Sequence, residues 1–243
     1  MRLFLLALAF VAAAASVGAK EAAAPVDGLV GFIARTPQQV TKWEPDIATF
    51  EQLDAETTDP DDAVLFLGSS SIRLWETIEA DMAPWPVVRR GYGGASLLDL
   101  LHYAPRLVAS HDPRAVVVFV GNDIKGAATD RTPGEMLVLF EALVPILRQG
   151  DADRDVFYIA VTPTPTRFNV WPQLRTANDL IRTYCESQPH THYIETRDIY
   201  LADDGTVRED LFRDDRLHQN TDGYQRWSDR IKSRLLSVLG TVK

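Results

Sequence analysis

The sequence predicts an α/β domain of three layers, in which a mainly parallel sheet of five strands lies between two layers of helices. From residue 63 onward, short apolar runs alternate with longer amphipathic stretches, a pattern typical of parallel strands joined by crossover helices. Three of the runs are apolar at nearly every position, as expected of strands that are buried on both faces. Together these two features favour an α/β/α sandwich.

The order of the elements follows directly from this alternation. The predicted strands are 64–67, 87–90, 115–120, 156–161 and 192–195, and the predicted helices are 71–80, 96–107, 133–147, 172–187 and 221–239. Thr221 is expected to cap the last helix, because threonine oxygens accept hydrogen bonds from the first helical amides. Open parallel sheets bind ligands at the carboxyl ends of their strands, so candidate site residues should directly follow strands.

The first 19 residues have the pattern of an export signal. Arg2 gives a positive start, residues 3–15 are apolar, and residues 17–19 are small. The run is shorter than the roughly 20 apolar residues that a membrane helix needs, although an uncleaved anchor is the alternative. We therefore predict an exported protein, periplasmic or secreted.

The remaining chain is predicted to form an N-terminal extension, residues 20–62, and a main domain, residues 63–243. A short helix over 45–56 is expected to pack on the main domain through Ile47, Phe50 and Leu53. The only cysteine, Cys185, cannot form an internal disulfide and is expected to be a small buried apolar residue.

The charge balance limits the partners that the protein is expected to bind. The chain has 34 acidic residues against 25 Lys and Arg, a net charge of -9, and loss of Arg2 with the signal makes it -10. An acidic chain argues against nucleic acid or an anionic membrane surface as its main partner. No integral membrane partner is evident, and a small-molecule substrate is expected.

A serine follows the first predicted strand in a position suited to nucleophilic attack. Gly68-Ser69-Ser70-Ser71 leaves that strand and enters a helix. The amide of Ser70 then lies near a helix N-terminus, where developing negative charge is favoured. By itself the segment is also compatible with a plain turn and helix cap.

Two further strand ends carry groups that could hold an oxyanion. Gly94 ends a glycine-rich turn after the second strand, and Asn122 follows the third strand. Glycine lets a backbone amide approach a substrate oxygen, and asparagine offers an uncharged side-chain donor. Either segment alone is also an ordinary turn.

Asp215-Arg216-Leu217-His218 lies just before the last helix. A serine hydroxyl becomes a good nucleophile only when a base removes its proton, and histidine titrates near neutral pH. A carboxylate beside the imidazole fixes its tautomer. The remaining histidines have no partners at metal-ligand spacing, so no metal or cofactor is predicted.

The segment after the fourth strand, residues 162–167, should border the same cleft. Thr164 and Arg167, together with Trp171 further along, could line a substrate pocket. The alternative is a stiff loop whose aromatic residues belong to the core.

These segments, taken in order over residues 64–239, resemble the SGNH subgroup of the GDSL-type esterases and lipases, which are also described as lysophospholipase-like. Ser70 falls at the nucleophile of the first block, Gly94 at the second block's glycine and Asn122 at the third block's asparagine. Asp215 and His218 fall at the acid and base of the fifth block.

The resemblance implies a flavodoxin-like fold and acyl-ester hydrolysis without a metal. Ser70 would attack, His218 would act as base, and Asp215 would orient it. The Ser70 and Gly94 amides and the Asn122 side chain would hold the oxyanion. Predicted export and the acidic charge favour a short-chain or acetyl ester as the substrate, with acetylated carbohydrate or lysolipid as candidates.

The chain departs from the family pattern in two places. Ser69 stands where the family usually has Asp, and Gly121 directly precedes Asn122, so that Val120 replaces a glycine or one residue is missing. Lysophospholipase, thioesterase and acyltransferase activities on the same residues remain alternatives, as does a noncatalytic glycan-binding protein of the same fold.

Overall fold

The computed structural model describes residues 41–241. Five parallel strands form one sheet, in the order β2-β1-β3-β4-β5. Their bounds are β1 Val64–Gly68, β2 Val87–Gly91, β3 Ala115–Phe119, β4 Asp155–Ile159 and β5 Thr191–Ile194. The predicted fold class is confirmed, and the sheet is parallel throughout.

Eight α-helices accompany the sheet within the described residues. They are α1 Glu44–Glu56, α2 Ser70–Arg73, α3 Ile78–Met82, α4 Leu97–Ala109, α5 Pro133–Leu147, α6 Trp171–Ser187, α7 Arg197–Tyr200 and α8 Thr221–Leu239. Helices α4, α5 and α6 pack side by side, with α1 against α4. Short 3-10 helices occupy Thr41–Trp43, Pro165–Val170 and Glu209–Leu211.

One face of the sheet and α8 enclose an aromatic core. Alternate residues of β1 and β3 point into this core, as the two-residue period of a strand requires. Trp75 stacks on Tyr224 at 5.4 Å between ring centroids, and Trp227 meets Phe119 edge-on at 4.9 Å. Aromatic pairs in these geometries add stability beyond the area that they bury. The core therefore lies directly beneath the carboxyl edge of β1 and β3.

Two details of the predicted helices are wrong. The single helix expected over 71–80 is two short helices, α2 and α3, separated by a turn. Asn220, not Thr221, caps α8: its side-chain oxygen accepts a hydrogen bond from the Gly223 amide at 3.0 Å. Thr221 is the first helical residue. Asparagine and threonine are both common helix caps. Residue type therefore does not show which of the two neighbours caps the helix, and the local backbone conformation decides it.

Helix α1 packs as predicted through Ile47, which is fully buried, but Leu53 is exposed, so that contact was wrongly predicted. Polar contacts hold the helix instead: Asp54 pairs with Arg90 of β2, and Glu44 and Glu51 both pair with Arg106 of α4.

Residues 1–40, including the predicted export signal, lie outside the described residues. Among residues 41–241, no helix is long and apolar enough to cross a membrane.

Candidate active site

Ser70 lies at the carboxyl edge of β1, where the chain turns into α2. The Gly68 backbone passes so close to β3 that a Cβ atom there would lie 2.0 Å from the carbonyl oxygen of Phe119. The following amide, Ser69, donates to that same carbonyl at 3.0 Å. Glycine at position 68 thus permits a contact that fixes the turn, and Ser70 is left half-buried at the first position of α2.

The Asp215–His218 loop places an acid and a base together. Arg216 has a positive φ of 58°, an uncommon conformation for a residue with a side chain. The loop lets Oδ1 of Asp215 accept the amides of Leu217 and His218, each at 2.9 Å, while Oδ2 lies 2.6 Å from Nδ1 of the His218 imidazole. Both carboxylate oxygens are therefore engaged.

Electrostatics keep Asp215 ionised. Partial burial acts to raise the pKa of Asp215, but hydrogen bonds from the His218 imidazole and from two backbone amides outweigh it and lower that pKa to about 2. A carboxylate can only accept, so Nδ1 of His218 carries the proton that is shared with Asp215. The imidazole is thereby fixed in the tautomer whose Nε2 is an acceptor.

His218 then reaches across to the β1 turn. Its Nε2 lies 2.9 Å from Oγ of Ser70, although the two residues are 148 positions apart in the chain. The Ser70 hydroxyl donates to this nitrogen when the imidazole is neutral. An unbroken chain of hydrogen bonds thus runs from Asp215 through His218 to Ser70. This arrangement can raise the nucleophilicity of the hydroxyl.

Asn122 lies at the exit of β3 and is held from two sides. Its Nδ2 donates to the carbonyl of Ala95 at 2.9 Å, and its Oδ1 accepts from Arg167 at 3.0 Å. An amide nitrogen has two hydrogens, so one remains for another acceptor. The direct Gly121-Asn122 step, which departs from the family pattern, still places Asn122 on the cavity that Ser70 lines.

Gly94 occupies the turn after β2, on the other side of Asn122. It has a positive φ of 79°, and its position is exposed. A second, wider cleft of about 950 Å³ is lined by Gly94, Asn122 and the polar side chains around them. Trp43, which precedes α1, steadies this turn by donating from Nε1 to the Gly93 carbonyl at 2.7 Å.

Asp123 fastens the same turn to β3. Its fully buried carboxylate accepts the Leu97 amide at 3.0 Å and lies 3.4 Å from Nε of Arg131. Burial raises the pKa of Asp123 to about 7. Because Asn122 contacts Ala95 and Asp123 contacts Leu97, the end of β3 holds the start of α4 in place. The sequence offered no sign of this role, since Asp after a strand is a common turn residue.

The segment after β4 bridges both halves of the site. Thr166 donates from Oγ1 to the Arg216 carbonyl at 2.8 Å, and its amide donates to the same oxygen. The next residue, Arg167, donates to the Gly121 carbonyl at 2.6 Å as well as to Asn122. Two consecutive residues therefore contact the Asp215–His218 loop and the Asn122 turn.

Ser70 and His218 border a cavity of about 460 Å³ that opens to solvent. Thr164 and Arg167, two of the three residues predicted as candidates for a substrate pocket, are among its lining residues. Trp171 is buried at the start of α6 and is not among its lining residues. The apolar part of the wall comes from Phe119, Val161, Leu174, Phe212 and Leu217.

The other candidate groups lie away from this cavity. Cys185 is buried on α6, and burial raises the pKa of its thiol to about 12. His111 lies between Asp54 and Asp59, and His192 contacts Asp155. Within residues 41–241, no group of three or more His, Cys, Asp or Glu side chains is arranged to hold a metal ion.

Comparison with known proteins gives the geometry a family context. The chain is 25% identical to the Bos taurus protein named platelet-activating factor acetylhydrolase IB subunit alpha1 over 191 residues, which cover 76% of this chain and 80% of the relative. A solved Streptococcus pneumonia structure, whose name refers to platelet activating factor, superposes with a TM-score of 0.70 at 17% identity, over 86% of this chain and 97% of that one.

A GDSL-like lipase from Bacteroides thetaiotaomicron superposes with a TM-score of 0.64 at 16% identity, over 79% of this chain and 97% of that one. These two superpositions show a shared fold. The sequence evidence is more specific: residues 66–226, most of the 243-residue chain, match the model of the GDSL-like Lipase/Acylhydrolase family. The chain therefore belongs to the GDSL-like lipase/acylhydrolase family, as the resemblance in its short motifs predicts.

Proposed function

We propose that the protein hydrolyses acyl esters through a covalent acyl-enzyme formed on Ser70. The observation that carries this proposal is the hydrogen-bonded chain from Asp215 to His218 to Ser70, with distances of 2.6 and 2.9 Å. It lies at the carboxyl edge of a parallel sheet, where such folds bind their ligands. Membership of an acylhydrolase family supports the same reaction.

In the first half of the reaction, Oγ of Ser70 attacks the ester carbonyl carbon while Nε2 of His218 takes the hydroxyl proton. Asp215 holds the imidazole in position and stabilises its positive charge. Collapse of the tetrahedral intermediate breaks the bond to the alcohol oxygen, and His218 returns the proton to that oxygen. In the second half, water attacks the Ser70 ester with the same base, and the acid is released.

The oxyanion of both intermediates requires donors that are fixed before the reaction. We assign this role to the backbone amides of Ser70 and Gly94 and to the side-chain amide of Asn122. The free hydrogen on Nδ2 of Asn122 supports this assignment, because the other hydrogen is engaged by Ala95. Loss of one such donor typically lowers kcat by about 100- to 1,000-fold.

The proposed substrate is an ester of a short acyl chain, with acetyl first. Apart from its open mouth, the cavity beside Ser70 encloses only about 30 Å³, far below the roughly 300 Å³ at which pockets for drug-sized ligands begin. The name of the Bos taurus relative, an acetylhydrolase, supports the same choice. An acetylated carbohydrate or a lysolipid could supply the alcohol, and export of the protein remains part of the proposal.

The test uses purified protein, a fluorophosphonate probe and p-nitrophenyl esters of increasing acyl length. We expect labelling of Ser70 and kcat/KM values that fall from acetyl to long acyl chains. Ser70→Ala should abolish labelling and turnover. Asp215→Asn should lower kcat by about 10,000-fold, because the imidazole then adopts the wrong tautomer.

Ser187→Ala is the matched control, since Ser187 is exposed at the end of α6 and should be without effect. Labelling that persists in Ser70→Ala would rule out the assigned nucleophile. A preference for long acyl chains would contradict the short-chain assignment. Competition by added sugar acceptors would indicate acyl transfer in place of hydrolysis.

The mass of the protein recovered from the producing cell tests removal of residues 1–19.

A further inference from the structure

We propose that Arg167 is a positioning residue that fixes the Asn122 amide for the oxyanion. This inference rests on the proposed function and extends it to a residue outside the Ser-His-Asp set. Its guanidinium donates from Nη2 to Oδ1 of Asn122 at 3.0 Å and from Nη1 to the Gly121 carbonyl at 2.6 Å. It thus contacts two consecutive residues of one turn.

The contact with Arg167 restricts the orientation of the Asn122 side-chain amide. A side-chain amide that is rotated by half a turn exchanges its oxygen for its nitrogen, and only the nitrogen can donate to an oxyanion. Arg167 carries only donors, so it can accommodate the Asn122 oxygen but not the nitrogen. The Ala95 carbonyl makes the complementary selection, because it accepts only from Nδ2. The two contacts together permit one orientation.

Arg167 also brings a positive charge next to Asn122. Arg167 is half-buried and lines the cavity that Ser70 and His218 line. Within residues 41–241, no carboxylate lies within ion-pair distance of its guanidinium: it donates to the two neutral oxygens, and Asp130 acts on it only at longer range. Its positive charge against Oδ1 polarises the Asn122 side-chain amide and makes the remaining N–H of Nδ2 a stronger donor to the oxyanion.

Arg167 is itself held in place through the residue before it. It belongs to the 3-10 segment Pro165–Val170 but has a non-helical backbone, with φ -117° and ψ 19°. The preceding residue, Thr166, is fastened to the Asp215 and Arg216 carbonyls. A shift of the acid–base loop therefore moves the residue that holds Asn122. The geometry links the two halves of the site through adjacent residues.

The test is a double-mutant cycle with Arg167→Met and Asn122→Ala, measured as kcat and KM for p-nitrophenyl acetate. We expect Arg167→Met to lower kcat by about 10- to 100-fold with little change in KM, less than the loss of an oxyanion donor itself. If Arg167 acts through Asn122, the double variant should be no slower than Asn122→Ala alone. Arg226→Met, an exposed arginine on α8, is the matched control for loss of charge.

Additive losses in the double variant would overturn the proposal. So would a rise in KM that is confined to anionic esters, because it would assign Arg167 to substrate binding. Arg167→Gln, whose side-chain amide can still donate to Asn122, should retain more activity than Arg167→Met, and it replaces Arg167→Met if that variant does not fold.

A readout independent of turnover separates this inference from the proposed function. The side-chain amide resonances of Asn122 should shift and exchange faster with solvent in Arg167→Met than in wild type. If wild type neither reacts with the fluorophosphonate probe nor hydrolyses esters, the proposed function fails, yet these resonances still test whether Arg167 holds Asn122. Unchanged Asn122 resonances in Arg167→Met would overturn the inference.

Discussion

At the scale of single residues, the site depends on side chains that hold other side chains. Asp215 uses both oxygens to fix one loop and one imidazole. Asn122 is engaged at both its oxygen and its nitrogen. Groups that are held in this way need little reorganisation when charge develops in the reaction, which is the main advantage of a preorganised site.

Asp123 gives a pH-dependent prediction at this scale. Its pKa is raised from the ordinary value near 4 to about 7 in the folded protein by burial, so between these two values the folded state binds more protons than the unfolded state. The contribution of Asp123 to the free energy of unfolding must then fall as pH rises from about 4 to about 7.

Asp123→Asn should remove this slope, because Asn still accepts the Leu97 amide but does not titrate. Urea unfolding of both proteins at pH 4.5, 6 and 8 measures the difference. The stability of wild type relative to Asp123→Asn should decrease across the series. A difference that is constant with pH would show that Asp123 titrates normally in the folded state.

At the scale of elements, the start of α8 contacts the 3-10 helix Glu209–Leu211 and the turn that carries Ser70. Asn220 lies two positions after His218 and caps α8. Its Nδ2 also donates to the Asp210 carbonyl at 2.8 Å. One turn into the helix, Tyr224 donates to the Ser71 carbonyl at 2.9 Å. The start of the last helix therefore contacts both the segment before the Asp215–His218 loop and the turn that carries Ser70.

Asn220→Ala should lower the free energy of unfolding by about 1–2 kcal/mol, since it removes a helix cap and the donations from Nδ2 to the Asp210 and Phe212 carbonyls. Thr221→Ala, at the neighbouring position, is the control and should change stability much less. Urea denaturation of the two variants measures both values. Equal losses would mean that Thr221 shares the capping role that the sequence first suggested.

At the scale of the whole molecule, α1 is joined to the main domain by a buried ionic group. The side chains of Arg90 and Asp54 are only 6% and 3% exposed, and Asp54 also lies 3.2 Å from Nε2 of His111. The 3-10 turn before α1 supplies Trp43, which contacts the Gly93 carbonyl. The chain before β1 thus supports the turn that carries Gly94.

Asp54→Ala should destabilise the protein by about 3–5 kcal/mol, because Arg90 is then buried without its carboxylate. Glu51→Gln breaks an exposed pair with Arg106 and should have little effect. Thermal and urea unfolding compare the two. A small loss for Asp54→Ala would mean that Arg90 finds another partner or becomes hydrated.

Much of this protein can be predicted from sequence because its signals are local. The apolar runs of β1, β3 and β4 require burial on both faces and therefore a parallel sheet. The edge rule then brings Ser70, Gly94, Asn122 and the residues after β4 to one side of that sheet. Short segments whose preference is ambiguous are predicted less well: the stretch 71–80 divides into two helices, and Asn220 caps in place of its neighbour.

The sequence by itself determined the fold class, the family and the identity of the candidate nucleophile, base and acid, because residue type and order along the chain carry that information. The tertiary structure alone decided that His218 reaches Ser70 across 148 positions, that Asp123 holds the start of α4, and that Arg167 holds Asn122. Those contacts join residues whose local sequence is that of ordinary turns. Only packing around a common core brings their donors and acceptors within hydrogen-bonding distance. No local sequence pattern therefore predicts these contacts.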